Sequence, residues 1–237
     1  MLMTDLGVKI FADGADLASI TALAGDPLIK GFTTNPTLMR QAGVTDYERF
    51  ARQVLEVVTD RPISFEVFSD DHDEMEKQAR RIAQWAPNVF VKIPVTNTLR
   101  VSSQGLITNL VAAGVQLNVT AIFTPTQIDW VVEALRDGPA SNVSVFAGRI
   151  ADAGTDPLPI MAHAVAATEG QAQMEVIWAS PREVLNVVQA NDVGCHIITV
   201  TPDLLKKLPG LGKDLDQFSV ETVQMFHRDA TGAGYAL

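Results

Sequence analysis

The stretch NVFVKIPV, residues 88–95, sets a lysine in the middle of an otherwise apolar run. Written out as a strand, its side chains alternate: Phe90, Lys92 and Pro94 share one face, and Val89, Val91, Ile93 and Val95 share the other. One face reads as packing. The other carries an amine, in a residue type almost never fully buried without a partner.

Short β-branched or aromatic runs of the same kind recur on both sides of it, each followed by turn residues and then a segment of helical period. They are VKIFADG (8–14), GFTTNP (31–36), PISFEVF (62–68), VFVKIPV itself (89–95), QLNVTAIF (116–123), NVSVFAG (142–148), MEVIWAS (174–180) and HIITVTP (196–202). Their spacing of roughly 20 to 32 residues is close to one βα unit each. Helix starts are marked by Thr45 and Asp46 before YERFARQVLEVV and by Asp70 to Asp73 before EMEKQARRIAQW. PTQIDWVVEALRDG and PREVLNVVQAND each place a proline at an early helical position, with Gly138 or Asn191 at the exit.

Eight alternating units in 237 residues predict an α/β chain folded as a single (β/α)8 TIM barrel over residues 1–237, with an additional C-terminal helix at about 214–230. No Ser/Gly-rich linker divides it. An open doubly wound sheet is the competing architecture, but the first turn, ADGADLAS, lacks the early glycines of a dinucleotide fingerprint.

Composition narrows the function classes. The chain is 47% hydrophobic with a mean hydropathy of +0.14, and its apolar runs fall short of the ~18 residues that span a bilayer. Asp5, Lys9 and Asp13 replace the apolar centre of a signal peptide, so a cytoplasmic protein without membrane contact is expected. Cys195 is the single cysteine and the four histidines show no ligand-like spacing, so neither disulfides nor a metal are expected. A net charge of -10 argues against a nucleic-acid partner. An anionic ligand would need a local cluster of cations.

In a closed barrel one strand face packs on helices and the other fills the interior, with the reactive end at the strands' C-termini. Taking the Lys92 face as inward gives Phe11 and Asp13, Thr33 and Asn35, Ser64 and Glu66, Phe90 and Lys92. The second half adds Asn118 and Thr120, Ser144 and Phe146, and Trp178 and Ser180. Ile63, Phe65, Val67, Val89, Val91, Ile93, Leu117, Val119 and Ala121 are then helix-facing. Polar groups thus fall at matching depth on seven of eight strands. Taken singly, Asp13 before Gly14 reads equally as a turn residue, and Ser64, Thr120 and Ser144 as small barrel fillers. The bland alternative for Lys92 is a buried ion pair with Glu66 or Asp13, which rarely stabilises more than apolar packing does.

A confined lysine has its charged form disfavoured, and a neutral amine can attack a carbonyl to form a Schiff base. Such chemistry also needs a carboxylate to move protons and donors to hold substrate hydroxyls, types supplied by Asp13, Glu66, Asn35, Asn118 and Thr120. Arg149 after VFAG and Arg182 after WASP stand near the ends of strands six and seven, where barrels often bind phosphate. Arg182 is placed at a helix N-terminus, which also favours an anion, although a solvated arginine there reads the same way.

The segments FADGADL, GFTTNPTLM, SFEV, VFVKIPVT, LNVTAIF, VSVFAGRIAD and WASPREV, in that order, resemble the transaldolase family. The resemblance runs from about residue 9 to 202 and is specific in its combination of TTNP, VKIP and GRI.D. It implies that Lys92 is the Schiff-base lysine, that Asp13 is the acid/base for cleavage between C3 and C4, and that Glu66 holds a catalytic water against Thr120. Thr33, Asn35, Asn118, Ser144 and Phe146 would surround the ketose, and Arg149, Ser180 and Arg182 would bind its phosphate. Implied with these are sugar phosphate substrates, no cofactor, the pentose phosphate pathway and a homo-oligomer, pentamer or decamer, with the C-terminal helix reaching a neighbour.

The chain's length is similar to the compact branch that also holds fructose 6-phosphate aldolases. Those typically carry Gln at the position of Glu66 and Tyr at that of Phe123; Glu and Phe here are the transferase pair. After strand seven the branch usually reads ASFKTPR, and ASPR is three residues shorter, which is expected to displace Arg182.

Overall fold

The structure, a computed structural model, describes residues 5–235; the ends of the expected 1–237 range, residues 1–4 and 236–237, lie outside it. Its first half runs β1 (Lys9–Asp13), α1 (Leu17–Ala24), β2 (Ile29–Thr33), α2 (Pro36–Gln41), α3 (Tyr47–Val57), β3 (Ile63–Glu66), α4 (His72–Ala83) and β4 (Val89–Pro94). Next come α5 (Gln104–Ala112), β5 (Leu117–Ile122), α6 (Pro125–Leu135), β6 (Ser141–Val145), α7 (Ala147–Asp152), α8 (Leu158–Ala167) and β7 (Met174–Trp178). The chain ends with α9 (Leu185–Asp192), β8 (Ile197–Val200), α10 (Pro202–Leu205) and α11 (Leu215–Ala233).

The eight strands pair in parallel and in chain order, and β8 closes on β1, giving the expected (β/α)8 barrel. Each observed strand is shorter than its sequence run, and at β2, β6 and β8 the last residues of the run leave the sheet to begin the next helix. Asn35 and Thr201 are N-caps of α2 and α10, and Phe146 occupies that position for α7. Side-chain oxygens cap helix starts at Asp46, Asp71 and Thr124, the last with a reciprocal bond from Gln127, each cap contributing about 1 kcal/mol. The C-terminal helix runs three residues beyond its expected end.

Helix-facing side chains of β3 and β4, Ile63, Phe65, Val89, Val91 and Ile93, are fully or almost fully buried in one continuous apolar layer. A smaller cluster of Phe11, Ile177, Ala179 and Ile197, with Phe146 against it, fills part of the barrel interior. Gly31 makes room for it: a Cβ there would lie 2.5 Å from the Phe11 ring.

Two parity assignments need correction. On β7, Ser144 of β6 stands opposite Ile177, so Ile177 and Ala179 point inward and Trp178 packs into the helix-facing layer. MEVIW is apolar at both parities in this stretch, and alternation alone carries no sign there. On β5, Val119 pairs with Val143 and Ile122 with Val145, so β5 spends three residues where β6 spends two. The extra residue makes a bulge at Ala121, whose φ is +59°, and Ala121 turns toward the barrel mouth instead of continuing the helix-facing row.

Candidate active site

At the C-terminal ends of the strands lies a cavity of about 590 Å3. Asp13, Thr33, Asn35, Glu66, Lys92, Asn118, Thr120, Ser144, Phe146, Arg149, Ser180 and Arg182 all line it. Strand register explains the inner part: Glu66 stands opposite Lys92, Lys92 opposite Asn118, and Pro94 opposite Thr120.

Lys92 is 7% exposed. Its Nζ lies 3.4 Å from Glu66 Oε2 and donates to Thr34 O at 3.4 Å. Both contacts are long for charge-assisted hydrogen bonds, and the amine keeps access to the cavity. Burial raises the pKa of Glu66 against the opposing pull of Lys92, and Asp13 raises it further. Burial likewise raises the pKa of Asp13, opposed by Lys92 and by the hydrogen bond from Thr33 Oγ1 to Asp13 Oδ1, 2.8 Å long. The Glu66 backbone is held from outside, where the Tyr47 hydroxyl of α3 donates to its carbonyl at 2.6 Å. The Tyr47 ring packs on Phe68 and Trp85.

Asn118 has both ends of its amide satisfied. Its Nδ2 donates to Ser64 Oγ at 2.9 Å and its Oδ1 accepts from Ser144 Oγ at 2.6 Å, a buried chain that fixes the amide plane. Thr120 Oγ1 is buried and has no protein partner. Asn35 stands beyond the strand where an inward strand position was expected. As N-cap of α2 its Oδ1 accepts from Leu38 N at 3.0 Å, leaving the amino half of the amide to meet a ligand.

The rim is built differently. Arg149, on α7, carries its guanidinium carbon 5.2 Å from the centroid of Phe146, and the Phe146 ring also meets Phe123 at 5.7 Å between centroids. Phe123 supports the rim and does not itself line the cavity. Arg182 is not at a helix N-terminus: α9 begins at Leu185, and Pro181 precedes it in the loop. The Arg182 and Glu183 amides donate to Asn186 Oδ1, and the guanidinium turns to Asp152. Arg182 Nε lies 3.1 Å from both Asp152 oxygens and Nη2 lies 2.5 Å from Oδ2. Ser180, with φ +61°, reaches the cavity from the loop, not from an inward strand position. Its carbonyl comes so close to Gly148 that a Cβ at that glycine would sit 1.5 Å away.

Thr199 and Thr201, which follow strand eight's inward parity, also line the cavity and were missed. Thr199 stands opposite Phe11 on β1, and the alternation of IITVT held the signal. A larger hollow of about 740 Å3 opens beside the start of β7. There His196 Nδ1 accepts from Val176 N and Glu175 pairs with Lys9, so its central polar groups are already engaged. Among the described residues no group of three His, Cys, Asp or Glu could hold a metal ion, and no helix is long and apolar enough to cross a membrane.

Known proteins resemble this chain at the level of family, of individual relatives and of fold. The family model of Transaldolase/Fructose-6-phosphate aldolase matches residues 10–236. A "Probable transaldolase" of Dehalococcoides mccartyi is 36% identical over 204 residues, 85% of this chain and 90% of the relative. A "Probable transaldolase 2" of Listeria monocytogenes is 35% identical over 204 residues, 85% and 88% of the two chains. Among solved structures, a dihydrodipicolinate synthase from Rhodopseudomonas palustris superposes with a TM-score of 0.59 at 16% identity, covering 97% of this chain and 81% of the other. An N-acetylneuraminate lyase from Mycoplasma synoviae does so with a TM-score of 0.57 at 9% identity, covering 93% and 77%. At those identities the two structures speak for the fold alone.

Proposed function

This chain belongs to the Transaldolase/Fructose-6-phosphate aldolase family, and we propose from that premise that it is a transaldolase whose Schiff-base lysine is Lys92. The donor is a ketose phosphate, fructose 6-phosphate or sedoheptulose 7-phosphate, and the acceptor an aldose phosphate, as in the pentose phosphate pathway. The observation that carries the reading is the buried Lys92 amine beside two carboxyls whose pKa values burial has raised, in one cavity.

In this scheme the neutral Lys92 amine attacks the donor's C2 carbonyl, and loss of water gives the protonated imine. Glu66, 3.4 Å from Nζ, exchanges the protons that this step and the later hydrolysis require, with a water between it and the unpartnered Thr120 hydroxyl. Asp13 takes the C4 hydroxyl proton as the C3–C4 bond breaks, and the bonding electrons pass into the enamine on Lys92. The aldose phosphate leaves. Attack of the enamine on the acceptor aldehyde then makes the new bond, Asp13 returns its proton to the acceptor oxygen as the new C4 hydroxyl forms, and hydrolysis of the imine frees the product and Lys92. The Asn118 amide, locked between Ser64 and Ser144, and the free half of Asn35 orient the retained three-carbon unit.

Arg149, Ser180 and Arg182 receive the phosphate at the rim. Arg182 must share its guanidinium with Asp152, which makes Arg149 the stronger anion contact. A lyase releasing free dihydroxyacetone is the second reading, and the shortened ASPR loop is the feature that favours it. Glu66 and Phe123 support transfer instead.

We also assign a cytoplasmic homo-oligomer, pentamer or decamer. None of the α11 residues is buried, and Leu215, Phe218, Val223 and Phe226 are each more than half exposed, a face suited to a second copy. Cutting the chain after residue 213 tests this: the mass in solution falls to that of one subunit if α11 makes the contact.

Borohydride reduction with fructose 6-phosphate, followed by peptide mapping, tests the central assignment. A three-carbon adduct on the peptide containing Lys92 supports it. Binding without any adduct overturns it. Acceptor-independent formation of glyceraldehyde 3-phosphate at the rate of transfer would favour the lyase.

A further inference from the structure

Thr199 lies on β8, next to β1 in the closed barrel, and is 6% exposed. Its Oγ1 is 2.5 Å from Thr33 Oγ1, and Thr33 Oγ1 is 2.8 Å from Asp13 Oδ1. Three strands that meet only when the barrel closes, β8, β2 and β1, thus contribute one hydrogen-bonded row ending on a carboxyl.

A hydroxyl has a single proton to donate. When Asp13 is ionised it can only accept, so Thr33 spends its proton on Oδ1. The contact between the two threonines must then be filled by the Thr199 proton, donated to the Thr33 oxygen. Were Thr199 apolar, nothing from β8 would oblige the Thr33 hydroxyl to keep that rotamer, and its buried oxygen would lose its donor from β8. A hydroxyl that itself accepts a hydrogen bond is also the better donor, by about 10–30% per bond. Binding Oδ1 in this way leaves Oδ2 as the oxygen open to the cavity.

We propose that Thr199 is a positioning residue for Asp13: through Thr33 it commits one carboxylate oxygen and stabilises the ionised form that accepts the substrate's proton. This deepens the reading of Asp13 as the acid/base and rests on it. The other charged groups around Asp13 are Glu66 from β3 and Lys92 from β4, with Arg149 and Arg182 farther out at the rim, and none of these touches Thr199 or Thr33 by any hydrogen bond or ion pair among the described residues.

The test is the pH profile of kcat for fructose 6-phosphate cleavage in the presence of an aldose phosphate acceptor, recorded for Thr199→Val, Thr199→Ser and Thr33→Val. Loss of a bond that favours the ionised carboxyl moves the acid limb to higher pH. Thr33→Val, which removes the direct bond, is expected to move it most. Thr199→Val should move it by a few tenths of a unit in the same direction with a several-fold fall in kcat and little change in KM, and Thr199→Ser should restore both. Valine keeps the shape and β-branching of threonine, and the serine variant guards against a fold defect. An acid limb unmoved in Thr199→Val while Thr33→Val shifts it overturns the role of Thr199. So does a serine variant as impaired as the valine. Wild-type turnover in Asp13→Asn would instead sink the assignment of Asp13 itself, a failure visible without any Thr199 variant.

Discussion

Lys92, Glu66 and Asp13 sit in the barrel interior, whereas Arg149 and Arg182 stand on its rim with their side chains in solvent, and the same kind of charge behaves differently in the two places. Inside, desolvation is the largest influence on both carboxyls and raises both pKa values, although a lysine lies beside them. On the rim Asp152 faces Arg182 with better ion-pair geometry, and the hydrogen bonds from that guanidinium hold its carboxyl below the usual range. A carboxyl whose pKa burial has raised holds a proton more readily than an exposed one, which suits the proton transfers proposed for the interior. A rim group only attracts or holds. The barrel therefore separates the proposed chemistry from the proposed anchoring by depth.

The largest break of that contrast is Lys92→Met. Turnover and the borohydride adduct are expected to vanish, and thermal unfolding is expected to move downward, because removing the amine alone leaves the Glu66 and Asp13 carboxyls buried without their cation. A large drop in Tm together with surviving turnover would make Lys92 structural.

Asp13→Asn keeps the shape and removes the base. Cleavage is expected to fall by about 10²- to 10⁴-fold, the usual worth of a positioned acid or base. The Schiff base should still form, so mass mapping should find the uncleaved donor reduced onto Lys92.

On the proposed assignment the acid limb of kcat in the unmodified protein belongs to a carboxyl that must be ionised to accept a proton. Since burial raises the pKa of Asp13 above its ordinary value of 3.8, activity is expected to be lost on acidification at a pH higher than an exposed aspartate would give. A limb at the ordinary value would mean that the interior is wetter than its burial implies.

The smallest effect belongs to the rim. Arg182→Ala is expected to raise KM for a phosphorylated donor about tenfold, the order of one charged hydrogen bond, with kcat nearly unchanged. Rising salt should shrink the difference, because the rim is screened and the interior is not.

The polar residues at one parity were legible wherever the opposite parity was apolar, as in ISFE and VFVKIP. Legibility failed on MEVIW, apolar on both sides of the decisive positions, and at Ala121, where one inserted residue reverses the count. Arg182 was recognised as a rim cation, but its bond to Asp152, 30 residues earlier, left no trace in local pattern. Thr199 was overlooked among ordinary strand threonines. Nothing in IITVT says that its neighbour across the closed seam is the residue that binds Asp13.

Alternation within each run and its repetition eight times established the barrel and put an amine on its inner face, because a period-2 backbone must send successive side chains to opposite sides. Which apolar face turns inward, where a strand bulges and which hydroxyl meets which carboxyl were decided only by closure and register. Thr33 and Thr199 are 166 residues apart in the chain and in contact in space. Local periodicity reaches across a few residues, and a contact at that separation exists only once every strand between has found its place.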